Sequence, residues 1–360
     1  MIAVRSDCRL VFCVGVGGVG KTTFAASLAL KEAVAGRSVL VLTADPARRL
    51  ADALGVGQLV DSASVVSLPG ECEGQLHAAM LETKASADEI IRRASADPER
   101  AQRVLDNKIY QAFSNTLARS HAYAAMERVH AAIHDDRYDL VIVDTPPAQS
   151  AMEILDAPAR LVRFLDQRVV RWFLQGAQGG QDARLRGGAL TRRLLTTITG
   201  RSLVDALTGF LSEMAFLREG FALRATEVRD IMRSSATEFV LVSSADASGI
   251  AAARSVAREV ESRGFALGHA AINRAFIPEA EGVSQGDVTY PDELADLQDL
   301  LVRSIDWVLE DQGQRRAATE GFQRGRAEPV WALPESARPL GDPTALRAWI
   351  EAARPVARVP

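Results

Sequence analysis

The sequence predicts an α/β protein: a largely parallel, doubly wound sheet with an inserted helical subdomain. Three observations carry that prediction. Short β-branched apolar runs alternate with helix-patterned stretches along the 360 residues, which is how crossover-connected parallel strands read. The first apolar run leads straight into a glycine-rich loop and then a helix-like run. Two long stretches, 72–136 and 151–236, carry helical patterning and few strand signals.

Taken in order, strands are expected at Leu10–Val14, Ser38–Thr43, Val65–Leu68, Leu140–Val143, Phe239–Ser243 and Ala270–Ile272. Between the first strand and a helix from Phe24 to Ala35 lies Gly15-Val16-Gly17-Gly18-Val19-Gly20-Lys21-Thr22-Thr23. This is the G-x-x-x-x-G-K-[ST] pattern in its strand–loop–helix setting, a phosphate-binding loop. The glycines let backbone N–H groups turn inward around an anion. The following helix adds the positive end of its dipole and unpaired N–H groups. Lys21 is expected to reach the terminal phosphates and Thr22 to ligate Mg²⁺. A glycine turn that binds nothing is the plain alternative. The chain thus reads as one phosphate-loop NTPase domain over 1–360, with 72–136 and 151–236 packing together as helical material beside the sheet.

Bulk properties narrow the function. Hydrophobic residues make up 48% and charged residues 24%, with a net charge of -4. A general nucleic-acid binder is usually basic, so nucleic acid is not an expected partner. The apolar runs fall short of the roughly 18 residues that span a bilayer. The start, Met-Ile-Ala-Val-Arg-Ser-Asp, shows no secretory pattern, so a cytoplasmic location is expected. Cys8, Cys13 and Cys72 form no zinc or disulfide spacing. Cys13, inside the first strand, reads as a small buried apolar residue.

Ligands of open parallel sheets bind beyond the carboxyl ends of the strands. Three polar signals fall there: Thr43-Ala44-Asp45-Pro46-Ala47, Asp144-Thr145-Pro146-Pro147 and Asn273-Arg274. A lone Asp-Pro is usually a turn or cap. Asp144 closes the run Leu-Val-Ile-Val-Asp in a chain that already has a phosphate loop, so it is assigned to Mg²⁺, through water.

Gly-Gly-Val-Gly-Lys-Thr-Thr, Thr-Ala-Asp-Pro-Ala, Val-Asp-Thr-Pro-Pro and Ile-Asn-Arg together resemble the ArsA family. These are arsenite-pump and tail-anchored-protein-targeting ATPases, relatives of MinD and nitrogenase iron protein. The similarity extends over nearly the whole chain. Asn107-Lys108-Ile109-Tyr110, Tyr123-Ala124-Ala125-Met126-Glu127 and Leu155-Asp156-Ala157-Pro158 resemble the bacterial branch. The resemblance implies ATP and Mg²⁺ as ligands, and hydrolysis to ADP and phosphate. It places Gly17, Gly18, Gly20, Lys21, Thr22 and Thr23, with Val19 among them, in the phosphate loop. Asp45 takes the place of the first switch aspartate, which orients or activates the attacking water, and joins Thr22 and Asp144 at the metal. Asn273 takes the place of the adenine-reading asparagine. Leu333-Pro334-Glu335 matches the late loop over the adenine, which assigns Pro334 to nucleotide binding. Phosphoryl transfer to water rests on charge neutralisation and positioning, so Lys21, Mg²⁺ and a water-orienting carboxylate suffice.

The sequence also departs from the family. Its loop normally begins Gly-Lys-Gly-Gly, and the lysine reaches across a dimer to the partner's nucleotide; here the position is Val16. The switch histidine after Asp144 is replaced within Thr145-Pro146-Pro147-Ala148-Gln149-Ser150, and the cysteines for zinc or arsenite have no counterpart. Two dimers fit Val16: a slower homodimer, or a heterodimer with an ArsA-like paralogue that keeps the lysine. Arg48 and Arg49 are candidates for replacement charge, against plain solvated side chains.

Apolar stripes recur at Leu161, Phe164, Leu165, Trp172 and Phe173, and at Leu203, Leu207, Phe210, Leu211, Met214, Leu217 and Phe221. They read either as core packing or as a groove for an apolar client helix. Gln175–Gly188 and Glu279–Pro291 read as irregular loops. The last piece, Thr344–Arg354 with Leu346, Trp349 and Ile350, is expected to dock on the domain, with peripheral membrane contact as its alternative. The leading function is a switch ATPase that carries or targets a client protein. The alternatives are the motor of an oxyanion or metalloid pump and a weakly active regulatory nucleotide-binding subunit.

Overall fold

The computed structural model describes residues 2–44, 48–57, 62–70, 72–81, 97–107, 121–146, 223–278 and 297–357, with the isolated positions 59, 88, 91–92, 95, 110, 156, 206 and 209–210. The loops expected at 175–188 and 279–291, and the apolar stripes between 161 and 221 apart from Phe210, lie outside the described residues.

Among the described residues nine strands form one sheet: β1 (Leu10–Val14), β2 (Ser38–Thr43), β3 (Ser64–Val66), β4 (Gln75–Met80), β5 (Leu140–Asp144), β6 (Thr237–Ser244), β7 (Leu267–Phe276), β8 (Val330–Pro334) and β9 (Arg354–Pro355). Their order is β3-β4-β2-β5-β1-β6-β7-β8-β9. Every pairing from β4 through β8 is parallel, and β3 and β9 close the two edges antiparallel. The central strands are buried along their whole length. Burial on both faces is why they read as unbroken apolar runs.

The described helices are α1 (Lys21–Val34), α2 (Arg49–Leu54), α3 (Pro98–Leu105), α4 (His121–Ile133), α5 (223–233), α6 (Ala247–Ser262), α7 (Gln298–Gln323) and α8 (Pro343–Glu351). Alternate residues of the strands feed different layers. Val11, Cys13, Val39, Val41, Leu140, Ile142, Val240 and Val242 share one core with Phe24 and Leu28 of α1 and Leu346, Trp349 and Ile350 of α8. Each large side chain buried there contributes about 1.5–3 kcal/mol. The intervening Phe12 and Phe239 stack with centroids 5.1 Å apart, and Phe239 stacks in turn on Phe265 at 4.9 Å. The apolar face of α8 is therefore taken up by the core. Trp349 Nε1 also donates to the Pro334 carbonyl at 2.9 Å, so this helix has no apolar face left for a membrane.

Two compact units divide the chain. One comprises Met1–Met80, Asp135–Ala151 and Met232–Pro360 and contains the sheet; the other comprises Leu81–His134 and Met152–Ile231. Regular structure described in the second unit is helical. The stretch expected to be helical from 72 instead starts with β4, which pairs in full register with β2, from Ser38↔Gln75 to Thr43↔Met80. Its run Gln-Leu-His-Ala-Ala-Met has no β-branched residue, so local propensity hides a strand that tertiary pairing stabilises. The strand expected at Val65–Leu68 is shorter and shifted, at Ser64–Val66.

Candidate nucleotide site

β1 ends at Val14 and α1 begins at Lys21, so six residues make the turn. Gly17 and Gly18 lie exposed at its tip. Gly20 is the N-cap of α1 in the left-handed region (φ 96°), and a Cβ there would lie 2.5 Å from Asn273 Nδ2. Both conditions demand glycine. α1 has no side-chain cap and no acidic residue in its first turn. Its leading N–H groups are therefore not capped by a side chain of the helix itself, which suits them to receive a phosphate. Thr22 and Thr23, half-buried, occupy that first turn. Lys21 is buried (7% exposed), and its Nζ donates to the Val16 carbonyl at 2.8 Å. The Val16 side chain packs against the core.

Asp144 ends β5, in register with Cys13 of β1 on one side and Thr43 of β2 on the other. It is 1% exposed. One of its oxygens, Oδ2, accepts from both Thr22 Oγ1 and Thr43 Oγ1, each at 2.8 Å. The first turn of α1 is in this way joined to the ends of two strands. A carboxylate beside an alcohol oxygen is a hard donor set of the kind Mg²⁺ takes. Thr145 Oγ1 donates to the Cys13 carbonyl at 2.7 Å, pinning the chain as it leaves β5. Burial, and next the charge of Asp144, push the Cys13 thiol well above its usual value. It stays protonated and inert.

Asn273 sits in β7 near its carboxyl end. Its Nδ2 donates to the Val19 carbonyl at 2.9 Å, and its Oδ1 accepts from the Arg274 N–H at 2.8 Å. Arg274 takes a left-handed φ of 54°. The side chain assigned to the adenine thus holds the phosphate loop.

Of the residues singled out in the sequence, Thr22 meets Asp144, and Val19 and Gly20 meet Asn273. Asp45 lies outside the described residues. Arg48 and Arg49 are exposed. Pro334 is a buried strand end and not a free covering loop: it pairs with Phe276, and its carbonyl is occupied by Trp349. The stretch that resembles the late loop is thus the end of β8, set by its pairing with β7. Thr43 and Thr145 were missed. Thr43 was legible in principle, since it closes a predicted strand and strand order sets it beside Asp144.

Comparisons with known proteins agree with this geometry. Residues 8–183, a little under half of the chain, match the family described as anion-transporting ATPase. The chain is thus similar, over about half of its length, to ArsA-like ATPases. It is 28% identical over 184 residues to a Halobacterium salinarum protein named "Putative arsenical pump-driving ATPase", covering 49% of this chain and 28% of that one. An uncharacterized protein of Streptomyces coelicolor is 30% identical over 228 residues, 61% of this chain and 53% of its own. The ATPase get3 of Schizosaccharomyces pombe is 29% identical over 161 residues, 45% and 46%. The chain therefore spans about half, or less, of the length of these relatives. No helix among the described residues is long and apolar enough to cross a membrane.

Proposed function

We propose that this chain is a Mg²⁺-dependent ATP-hydrolysing switch that works as a dimer and couples nucleotide state to the handling or targeting of a client protein. The observation that carries the reading is the meeting of Thr22 and Asp144 at 2.8 Å beside an uncapped helix start. Backbone N–H groups from Gly17 to Thr23 would receive the phosphates. Lys21 would leave the Val16 carbonyl for the terminal phosphates. Thr22 and Asp144 would hold Mg²⁺ together with Asp45, and Asp45 would orient the attacking water. Bound there, the ion neutralises phosphate charge, the main requirement of this reaction. Asn273 would fix the loop and border the base, with Pro334 at the site's far edge.

The test is ATP turnover with Mg²⁺ for the wild type beside Asp144→Asn. Loss of one charge at a metal-binding carboxylate is expected to lower turnover by about 10²–10³-fold and to raise the Mg²⁺ needed for half-saturation. Unchanged turnover and Mg²⁺ dependence in the variant would refute the site. Turnover measured beside Asp45→Asn separates an active switch from a regulatory subunit that binds nucleotide with little hydrolysis, the reading that Val16 favours. Native mass with and without ATP decides the dimer: a homodimer turning over at a rate ordinary for the family excludes the paralogue. The name of the Halobacterium relative favours a second use, driving an oxyanion or metalloid pump. Trapping the ATP-bound state and identifying what co-purifies separates a client protein from a membrane pump.

A further inference from the structure

We propose that the second unit carries a divalent transition-metal site built from His130, His134 and Glu227, which takes Zn²⁺ or an ion of similar borderline softness. Among the described residues these three each present one ligand atom, all within 4.8 Å of one another. His130 lies in α4 and His134 just after it, four residues apart, so both rings stand on one face of the helical turn. Their centroids are 4.3 Å apart with the planes tilted by 32°. Glu227 comes from α5, and its Oε2 lies 2.7 Å from His130 Nε2.

Two further features separate this cluster from an ordinary surface ion pair. One turn earlier on both helices, Glu127 and Arg224 form a buried ion pair through Arg224 Nε, at 2.9 and 3.0 Å to the two carboxylate oxygens. That clamp fixes the separation of α4 and α5 at the height of the histidines. Secondly, His134 Nδ1 lies 2.9 Å from the His130 carbonyl. A carbonyl only accepts, so Nδ1 carries the proton, and the neutral ring keeps its lone pair on Nε2. A backbone carbonyl on the other ring nitrogen is the usual way a ligating histidine is oriented. The ion pair with Glu227 needs His130 alone and gives His134 no role.

Two imidazoles and a carboxylate are the donor set of three-ligand zinc sites, which leave a fourth position for water. At ordinary Zn–N and Zn–O lengths in tetrahedral geometry the donor atoms stand about 3.3 Å apart. Glu227 Oε2 would retreat from His130 by about 0.6 Å to reach that spacing, which its partly exposed side chain allows. The ion would bind α4 to α5 and stabilise this unit, separately from the Mg²⁺ and nucleotide chemistry of the sheet.

The test titrates tag-free, full-length protein with Zn²⁺ by calorimetry, with excess Mg²⁺ present to occupy hard oxygen sites, and repeats the titration with Co²⁺ while following its visible absorption. One equivalent is expected, with a Co²⁺ spectrum free of thiolate charge transfer and a Zn²⁺-induced rise in melting temperature. His134→Ala and Glu227→Gln are each expected to weaken binding at least about tenfold and to abolish the rise. Both positions are at least partly exposed, so the variants keep their core. The proposal is overturned if the wild type shows no saturable uptake. It is equally overturned if both variants bind as the wild type does, or if Cys72→Ser, rather than His134→Ala, removes the uptake.

Discussion

Asp144 and Glu238 are both buried carboxylates of one sheet, 1% and 4% exposed, and they are held in opposite ways. Asp144 ends β5 and is met by the hydroxyls of Thr22 and Thr43. Glu238 is the second residue of β6, at the other end of the parallel strands, and is met by the Arg5 guanidinium at 3.0 Å, the Arg5 N–H at 3.4 Å and His269 Nδ1 at 3.8 Å. Hydroxyls solvate a carboxylate without neutralising it, and their oxygens can themselves face a cation. A guanidinium neutralises it. At the carboxyl ends, hydroxyls from the first turn of α1 and from β2 converge on the carboxylate, whereas at the amino ends the carboxylate ties the amino-terminal segment to the sheet. This is the division expected of open α/β sheets, whose ligands bind beyond the carboxyl ends.

The largest effect that tests this division is Lys21→Ala. Removing a cation from the transferring phosphate is expected to lower ATP turnover by about 10³–10⁵-fold, by analogy with cations supplied to the same kind of transition state. The loss should appear in turnover per folded molecule, with the folded fraction measured beside it by chemical denaturation. A variant that unfolds while its folded fraction still turns over ATP would erase the distinction between the two ends.

Glu238→Ala is the counterpart at the other end. It removes the buried carboxylate that meets the Arg5 N–H and guanidinium, leaving the guanidinium to Asp7 at 3.4 Å. Breaking a buried pair costs about 3–5 kcal/mol, and the lower figure applies here, since the Arg5 side chain is half exposed and can hydrate. Chemical denaturation should read the loss, with turnover per folded molecule unchanged. A drop in turnover without a drop in stability would show that the amino ends also serve the nucleotide.

How much of this was legible depends on how local each signal is. The loop Gly15–Thr23 was readable because its chemistry is fixed within nine consecutive residues. The strands β1, β2, β5, β6 and β7 were readable because two buried faces leave continuous apolar runs. β4 was not, because Ala78 and Ala79 suit a helix and become strand only through their pairing with Val41 and Leu42. Thr43 gained its meaning from strand order: β5 lies between β2 and β1, and only that order sets its hydroxyl on Asp144. Asn273 was found at the right strand end, but its bond to Val19 spans 254 positions, a distance over which sequence spacing carries no information. Glu238 sits in the apolar run Phe-Val-Leu-Val as an apparent edge residue, with nothing nearby to mark Arg5 or His269 as its partners.

The smallest effect falls on the imidazole beside Glu238. His269 is 4% exposed and packs edge-on to Phe24 at 6.4 Å. Burial, and next the charge of Lys31, lower its pKa from 6.5 to about 4. Between those two values the unfolded chain binds a proton that the native protein refuses, so stability rises with pH across the window and is lost as pH falls from 6.5 towards 4. At pH 5 the loss relative to neutral pH is about 2 kcal/mol. Glu238 works in the opposite sense: burial raises its pKa above 4.5, so above that value it is the native state that holds the extra proton, and its contribution falls with rising pH. Glu238 is common to the wild type and to His269→Gln, so the difference between the two isolates the imidazole. Urea midpoints at pH 7 and pH 5 should therefore fall further for the wild type than for His269→Gln, by about those 2 kcal/mol. Equal falls would mean that His269 takes up its proton in the folded state, and that the amino ends of the strands hold a titrating pair where the geometry calls for a closed one.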